Sequence, residues 1–181
     1  MKRSIIQKEI RSDDMKRLFL MRHAKSSWDS PGLSDFERPL NDRGLNTAPF
    51  MAELISRRGL LPEFFISSPA VRAMQTAKIV KESSGSNAVL RFDERIYEAS
   101  PNTLRQVVSE IDDAIASVML IGHNPGLEGF IDFLTSEHES MPTAAVATID
   151  LEIEQWTSLA KNCGRLVSVI RPKDEAQKAG G

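Results

Sequence analysis

The sequence predicts an α/β fold: a three-layer sandwich with a mainly parallel six-stranded sheet, an antiparallel edge, and helices on both faces. Three observations carry this. Short apolar runs alternate with helix-length amphipathic segments, the order that produces parallel strands joined by helical crossovers. The last two apolar runs have no helix-length segment between them, which marks an antiparallel pair. The chain has 181 residues, 41% of them apolar, enough for one core and one domain.

Leu18-Phe19-Leu20-Met21 is the first apolar run and reads as a buried strand. A polar loop from Ser26 to Asn41 leads to a helix from about Gly44 to Arg58. Phe64 to Ser67 is the second strand. The helix after it is expected to open with Ser68 as N-cap and Pro69 at its first position, turning Val71, Met74, Ile79 and Val80 inward. Ala88 to Phe92 is the third strand, followed by a helix from about Pro101 to Asp112. Ser117 to Ile121 is the fourth, running into Gly122-His123-Asn124 and a helix capped by Asn124 with Pro125 behind it. Ala145 to Ile153 and Arg165 to Arg171 read as the closing pair, joined around Lys161-Asn162-Cys163-Gly164. The domain is expected to span residues 15–172. Residues 1–14 read as an N-terminal extension, or as an upstream start ahead of Met15, and the segment from Pro172 to Gly181 as a frayed C-terminal tail.

Composition removes several function classes. Lys and Arg number 23 against 25 Asp and Glu, a net charge of −2, which excludes a basic nucleic-acid footprint spread over the whole surface. Cys163 is the single cysteine, so neither an intramolecular disulfide nor a cysteine zinc cluster is available, and a reducing cytoplasm is expected. The N-terminal stretch has only Ile5-Ile6 before polar residues resume, which is neither a signal core nor a membrane span. No membrane or nucleic-acid partner is expected, and the oligomeric state is left open.

In an open α/β sheet, ligands bind beyond the carboxyl ends of the strands. Arg22-His23 follows the first strand, Ser67-Ser68-Pro69-Ala70-Val71-Arg72 the second, Glu94 to Glu98 the third and Gly122-His123-Asn124 the fourth. Two of the three histidines and two arginines therefore fall on one sheet edge. Guanidinium forks match phosphate oxygens, and a neutral imidazole is a competent nucleophile toward phosphorus. Arg72 belongs to the first turn of a helix, whose amides also favour an anion. With no glycine-rich phosphate loop and no clear metal-ligand cluster in the sequence, the positive charge is expected from side chains, with no metal and no cofactor. His138, between Glu137 and Glu139, reads as surface; Trp28, Trp156 and the methionines read as core or loop packing.

These residues also form a set of motifs. Leu18-Phe19-Leu20-Met21-Arg22-His23-Ala24 resembles the Arg-His-Gly signature of the histidine phosphatase superfamily, the phosphoglycerate-mutase-like fold. Pro39 to Gly44, Ser67 to Ala77, Tyr97-Glu98-Ala99 and Gly122 to Gly126 resemble its further blocks in order. The likeness runs from about Lys16 to Arg171, with Ala24 where that family usually has glycine. The opening Arg22-His23-Ala24-Lys25-Ser26-Ser27-Trp28 is most similar to the SixA-type phosphohistidine phosphatases.

The resemblance implies that His23 attacks phosphorus and is transiently phosphorylated, that Arg22, Arg72 and His123 grip the phosphoryl oxygens, and that Glu98 protonates an ester leaving group and later activates water. His23 must then be neutral at the attacking nitrogen, with its other ring nitrogen held by a carbonyl or similar acceptor. Between the Tyr97-Glu98 loop and Ser117 there is room for about one helix and no inserted lid. An uncovered pocket favours a phosphorylated protein, such as a histidine phosphotransfer domain, over a small phosphoester. Two alternatives stay open: a small-molecule phosphomonoesterase using the same site, and a non-catalytic phosphate-binding module.

Overall fold

A computed structural model describes residues 15–28 and 32–179; the expected extension at residues 1–14 lies outside them. The order is β1 (Lys16–Arg22), α1 (Asp42–Arg57), β2 (Phe64–Ser67), α2 (Val71–Ser83), β3 (Val89–Phe92), α3 (Pro101–Ser109), β4 (Ser117–Gly122), α4 (Gly126–Thr135), β5 (Val146–Leu151), β6 (Gly164–Ile170) and α5 (Pro172–Ala179). The six strands form one sheet in the order β3-β2-β4-β1-β5-β6. The first four are mutually parallel, and β5 and β6 complete the sheet through antiparallel pairings.

The continuous apolar runs of the central strands follow from burial on both faces. Alternate side chains point to opposite sides, so Leu18 and Leu20 of β1 join Ile66, Val118 and Leu120 in a core with Leu104, Phe130 and Trp156. Phe19 and Met21 join Phe65, Met119 and Ile121 in a second core with Met51 and Ile55 of α1. Each fully buried side chain of this size contributes about 1.5–3 kcal/mol. α3 and α4 cover the first face and α1 and α2 the second. No described helix is long and apolar enough to cross a membrane.

Four local expectations are corrected. α2 begins at Val71, with Ala70 rather than Ser68 at the cap position and no side-chain cap. Ser68 is occupied elsewhere: its Oγ lies 2.8 Å from His123 Nε2 and accepts from the Ala70 amide at 3.2 Å. The Val71 amide donates instead to the Phe36 carbonyl at 3.0 Å. The later start rotates the buried face onto Arg72, Ala73, Thr76, Ala77 and Val80, leaving Val71 and Met74 half-buried. α4 likewise lacks an Asn124 cap: the side-chain Nδ2 donates to Glu128 Oε1 and the Met141 carbonyl, at 2.7 and 3.0 Å, and Oδ1 accepts from none of the described residues.

α3 stops at Ser109, three residues short of Asp112, although its start is as expected, with the Ser100 hydroxyl accepting from the Thr103 amide and Pro101 at the first position. At the chain's end, residues 172–179 form α5 rather than a frayed tail. Buried Glu175 anchors it, accepting from Arg58 Nη2 at 2.5 Å and from Lys178 at 2.9 Å.

Two glycines hold the loops that frame the sheet edge. At Gly44, in the first turn of α1, a Cβ would lie 2.2 Å from the Lys25 carbonyl oxygen. At Gly126, opening α4, it would lie 2.3 Å from the Ala99 carbonyl oxygen. Both obstacles are backbone, so the chain itself must shift. Gly44→Ala and Gly126→Ala are each expected to lower the unfolding free energy by about 1–3 kcal/mol. Urea denaturation checks this; unchanged midpoints would show that the close approaches do not constrain the fold.

Candidate active site

The sheet register builds the site. β2, β4 and β1 are neighbours, and Arg22 stands opposite Gly122, Ser67 opposite Ile121. The ladder continues past the strand ends, with the His23 amide donating to the Gly122 carbonyl at 3.1 Å and the Ser68 amide to the Ile121 carbonyl at 3.0 Å. Three strand exits therefore leave side by side. The His23 and His123 ring centroids lie 5.0 Å apart, and Arg22, His23, Arg72, His123 and Glu98 line one cavity of about 990 Å³.

His23 is fixed at both ring nitrogens. Nδ1 lies 2.7 Å from the Ala24 carbonyl oxygen, which can only accept, so Nδ1 carries the proton. Nε2 then holds the lone pair and receives Nε–H of Arg72 at 3.3 Å. Behind this contact, the Ala24 amide donates to Thr76 Oγ1 and that hydroxyl donates to the Arg72 carbonyl, at 3.0 and 2.7 Å. The nucleophile loop and the first turns of α2 are thus tied together.

Arg22 donates through Nη1 to the Met141 carbonyl at 2.9 Å. Among the described residues its buried Nε and the buried Nδ1 of His123 have no hydrogen-bond partner. Such groups cost about 1–3 kcal/mol each when left unpaired. The Arg22 Nε–H can only donate, so an anion's oxygen is the kind of partner it lacks.

Both histidines are buried. Desolvation is the main force on His23; the Ala24 hydrogen bond opposes it, the charges of His123, Arg72 and Arg22 add to it, and the ring is lowered to about 3. Desolvation also dominates at His123, where Arg72 and Arg22 outweigh Asp35 and bring the ring to about 4. Near neutrality both rings are uncharged, which leaves the Nε2 lone pair of His23 unprotonated, as a nucleophile requires.

Glu98 lies in the same cavity, solvent-exposed and at a positive φ of 50°. His138 stands outside the cavity, 86% exposed, with Nδ1 3.3 Å from Asp132. Trp156 is core, but Trp28 is not packed as expected. It is 73% exposed at the cavity mouth, with the Arg38 guanidinium 3.5 Å from its ring centroid.

Sequence reasoning missed Asp35. Its Oδ2 accepts from Arg72 Nη2 at 2.8 Å and from the Tyr97 hydroxyl at 3.0 Å, and its Oδ1 accepts from Arg38. Its main-chain carbonyl accepts from Arg72 Nη1. Asp35 is one of 25 acids in a loop without periodicity. Its sequence signal is confined to the Asp35–Arg38 spacing beside the Pro39-Leu40 block.

Comparison with known proteins gives the family. The profile of the histidine phosphatase superfamily (branch 1) matches residues 18–120, and the chain belongs to that superfamily. Among solved structures it is similar to a protein assigned as the phosphohistidine phosphatase SixA of Agrobacterium tumefaciens, at 28% identity and a TM-score of 0.75 over 87% of this chain and 98% of that one. A protein histidine phosphatase SixA complexed with tungstate shares the fold at a TM-score of 0.76 and 21% identity, over 88% of this chain and 99% of that one. An uncharacterized Mycobacterium tuberculosis protein is 27% identical over 84% of this chain and its own full length. By family the chain is a member of the histidine phosphatase superfamily, and by fold it is similar to the SixA structures.

The two depressed histidines give a pH prediction. Their folded values lie below the ordinary 6.5, so below that pH the unfolded chain binds more protons. Stability held by the neutral rings is complete above about pH 6.5 and declines as pH falls toward the folded values. NMR titration of the unliganded protein should find His23 and His123 still neutral at about pH 5. A midpoint of about 6 or above for either ring contradicts the account.

Proposed function

We propose that the chain dephosphorylates phosphohistidine on a protein, through a phosphohistidine intermediate on its own His23 and with guanidinium groups supplying the charge that a metal ion would otherwise supply. The observation that carries this is the geometry of His23: its tautomer is fixed by the Ala24 carbonyl and its Nε2 lone pair faces the Arg72 fork.

In the first step Nε2 forms a bond to phosphorus as the bond to the substrate's imidazole nitrogen breaks. The leaving imidazole takes that electron pair and departs neutral when its other nitrogen carries a proton. In the second step water attacks phosphorus and passes a proton to a phosphoryl oxygen, His23 leaves with the N–P pair as a neutral imidazole, and inorganic phosphate is released. Arg22, Arg72 and His123 grip the phosphoryl oxygens as charge spreads over them. Throughout, Nδ1–H stays on the Ala24 carbonyl, which stabilises the positive character that the ring gains when phosphorylated.

A protein substrate is supported by how open the cavity is. Between the Tyr97–Glu98 segment and β4 the longest element is α3, with no inserted lid. The mouth carries exposed Trp28, and the similar Agrobacterium protein is assigned to phosphohistidine. A small phosphoester is the second reading, favoured by Glu98. An ester oxygen needs a proton as it leaves, and Glu98 brings a carboxyl group to the same cavity.

Brief exposure of the wild type to a phosphohistidine-bearing protein labelled on phosphorus should yield an acid-labile phosphoenzyme. His23→Ala should yield none, and label retained in that variant would refute the nucleophile. Arg72→Ala should lower kcat/KM by about 10²–10³-fold. Glu98→Gln separates the readings: it should slow turnover of small esters far more than of phosphohistidine protein. Wild-type preference for a small ester would overturn the protein-substrate choice.

A further inference from the structure

Arg72 holds the cavity's guanidinium fork, and three of its five N–H donors are already engaged. Of five N–H groups, one points at His23 Nε2 and two are held by Asp35: Nη1 by the main-chain carbonyl, Nη2 by Oδ2 at 2.8 Å. The bond to Nε2 occupies the lone pair that must attack phosphorus. Arg72 therefore has to move from the nucleophile to the phosphoryl oxygens when substrate enters, and an anion already sits on the fork that must receive them.

We propose that Asp35 is an internal counter-anion. It holds the Arg72 fork between turnovers, yields it to the incoming phosphoryl group, and reclaims it as inorganic phosphate departs. Asp35 is a positioning residue acting through Arg72. The inference rests on the reading that this cavity takes a phosphoryl group.

The surroundings of Asp35 suit such an exchange. Its side chain is 44% exposed against 6% for that of Arg72, so water reaches the carboxylate side of the pair and can hydrate it as it lets go. The carboxylate also keeps partners when Arg72 turns away. Oδ1 accepts from Nε and Nη2 of Arg38 at 3.0 and 2.8 Å, and Oδ2 from the Tyr97 hydroxyl at 3.0 Å. The loop does not have to leave, because the Phe36 carbonyl stays on the Val71 amide at the start of α2. Exchange therefore swaps one anion for another on Arg72 and strands no buried charge.

A mere strut makes the opposite prediction. If Asp35 only orients Arg72, removing its charge disorders the fork and weakens oxyanion binding. If Asp35 competes for the fork, removing its charge strengthens binding and slows phosphate release.

Titration of inorganic phosphate into wild type, Asp35→Asn and Asp35→Glu by calorimetry, together with steady-state kinetics, decides between them. Asp35→Asn should bind phosphate roughly tenfold more tightly and show lower KM and lower kcat, with stronger product inhibition. Asp35→Glu, which restores a carboxylate, should return the affinity toward wild type. Unchanged or weaker phosphate binding by Asp35→Asn overturns the proposal, as does equal tightening in both variants, which would trace the effect to a loosened loop. If wild type binds no phosphate at all, the phosphoryl reading of the cavity fails together with the inference. If wild type binds it and Asp35→Asn binds it no better, the inference alone fails.

Discussion

The structure depends on the parallel pairing of β1 with β4. Because Arg22 stands opposite Gly122, the residue after each strand is a histidine emerging at the same level of the sheet, and the two rings meet at 5.0 Å. β2 on the other side of β4 delivers Ser68 and the start of α2 to the same edge. No single side chain creates the site. It follows from three apolar runs whose burial on both faces fixes their register.

On this edge burial and charge act against each other. Removing two imidazoles from water beside Arg22 and Arg72 keeps the rings neutral, which leaves the nucleophile's lone pair unprotonated near neutral pH. Two guanidiniums so close together need an anion, and the protein supplies one in Asp35. Partial desolvation raises that carboxyl, but hydrogen bonds from Arg72, Tyr97 and Arg38 outweigh it and hold the group at about 2. The cavity thus pairs its buried guanidinium fork with a carboxylate of its own.

Much of this was legible in the sequence. β2 falls on Phe64–Ser67 as read, the other strands and α1 to α4 fall near their expected positions, and the sheet has the expected parallel core and antiparallel edge. Apolar runs and strand exits are local signals, and they sufficed to bring His23, Arg22, Arg72, His123 and Glu98 to one cavity. Most of the misses involve polar side chains with partners elsewhere in the fold. Ser68 and Asn124 have good capping side chains, but their tertiary partners, His123 for one and Glu128 with Met141 for the other, outcompete the helix ends. α5 depends on Arg58, 117 positions away from Glu175. Asp35 reaches Arg72 across 37 positions from a loop. Long-range polar pairings leave no periodicity to read.

The account stands on Nε2 of His23 facing a phosphoryl group gripped by Arg22, Arg72 and His123. A crystal structure of the protein soaked with vanadate tests this most directly. Vanadium bonded to Nε2, with its oxygens on both guanidiniums and the second imidazole, is the result expected. Vanadate seated elsewhere in the cavity, bonded to another side chain, or held without contact to Arg72 would contradict it.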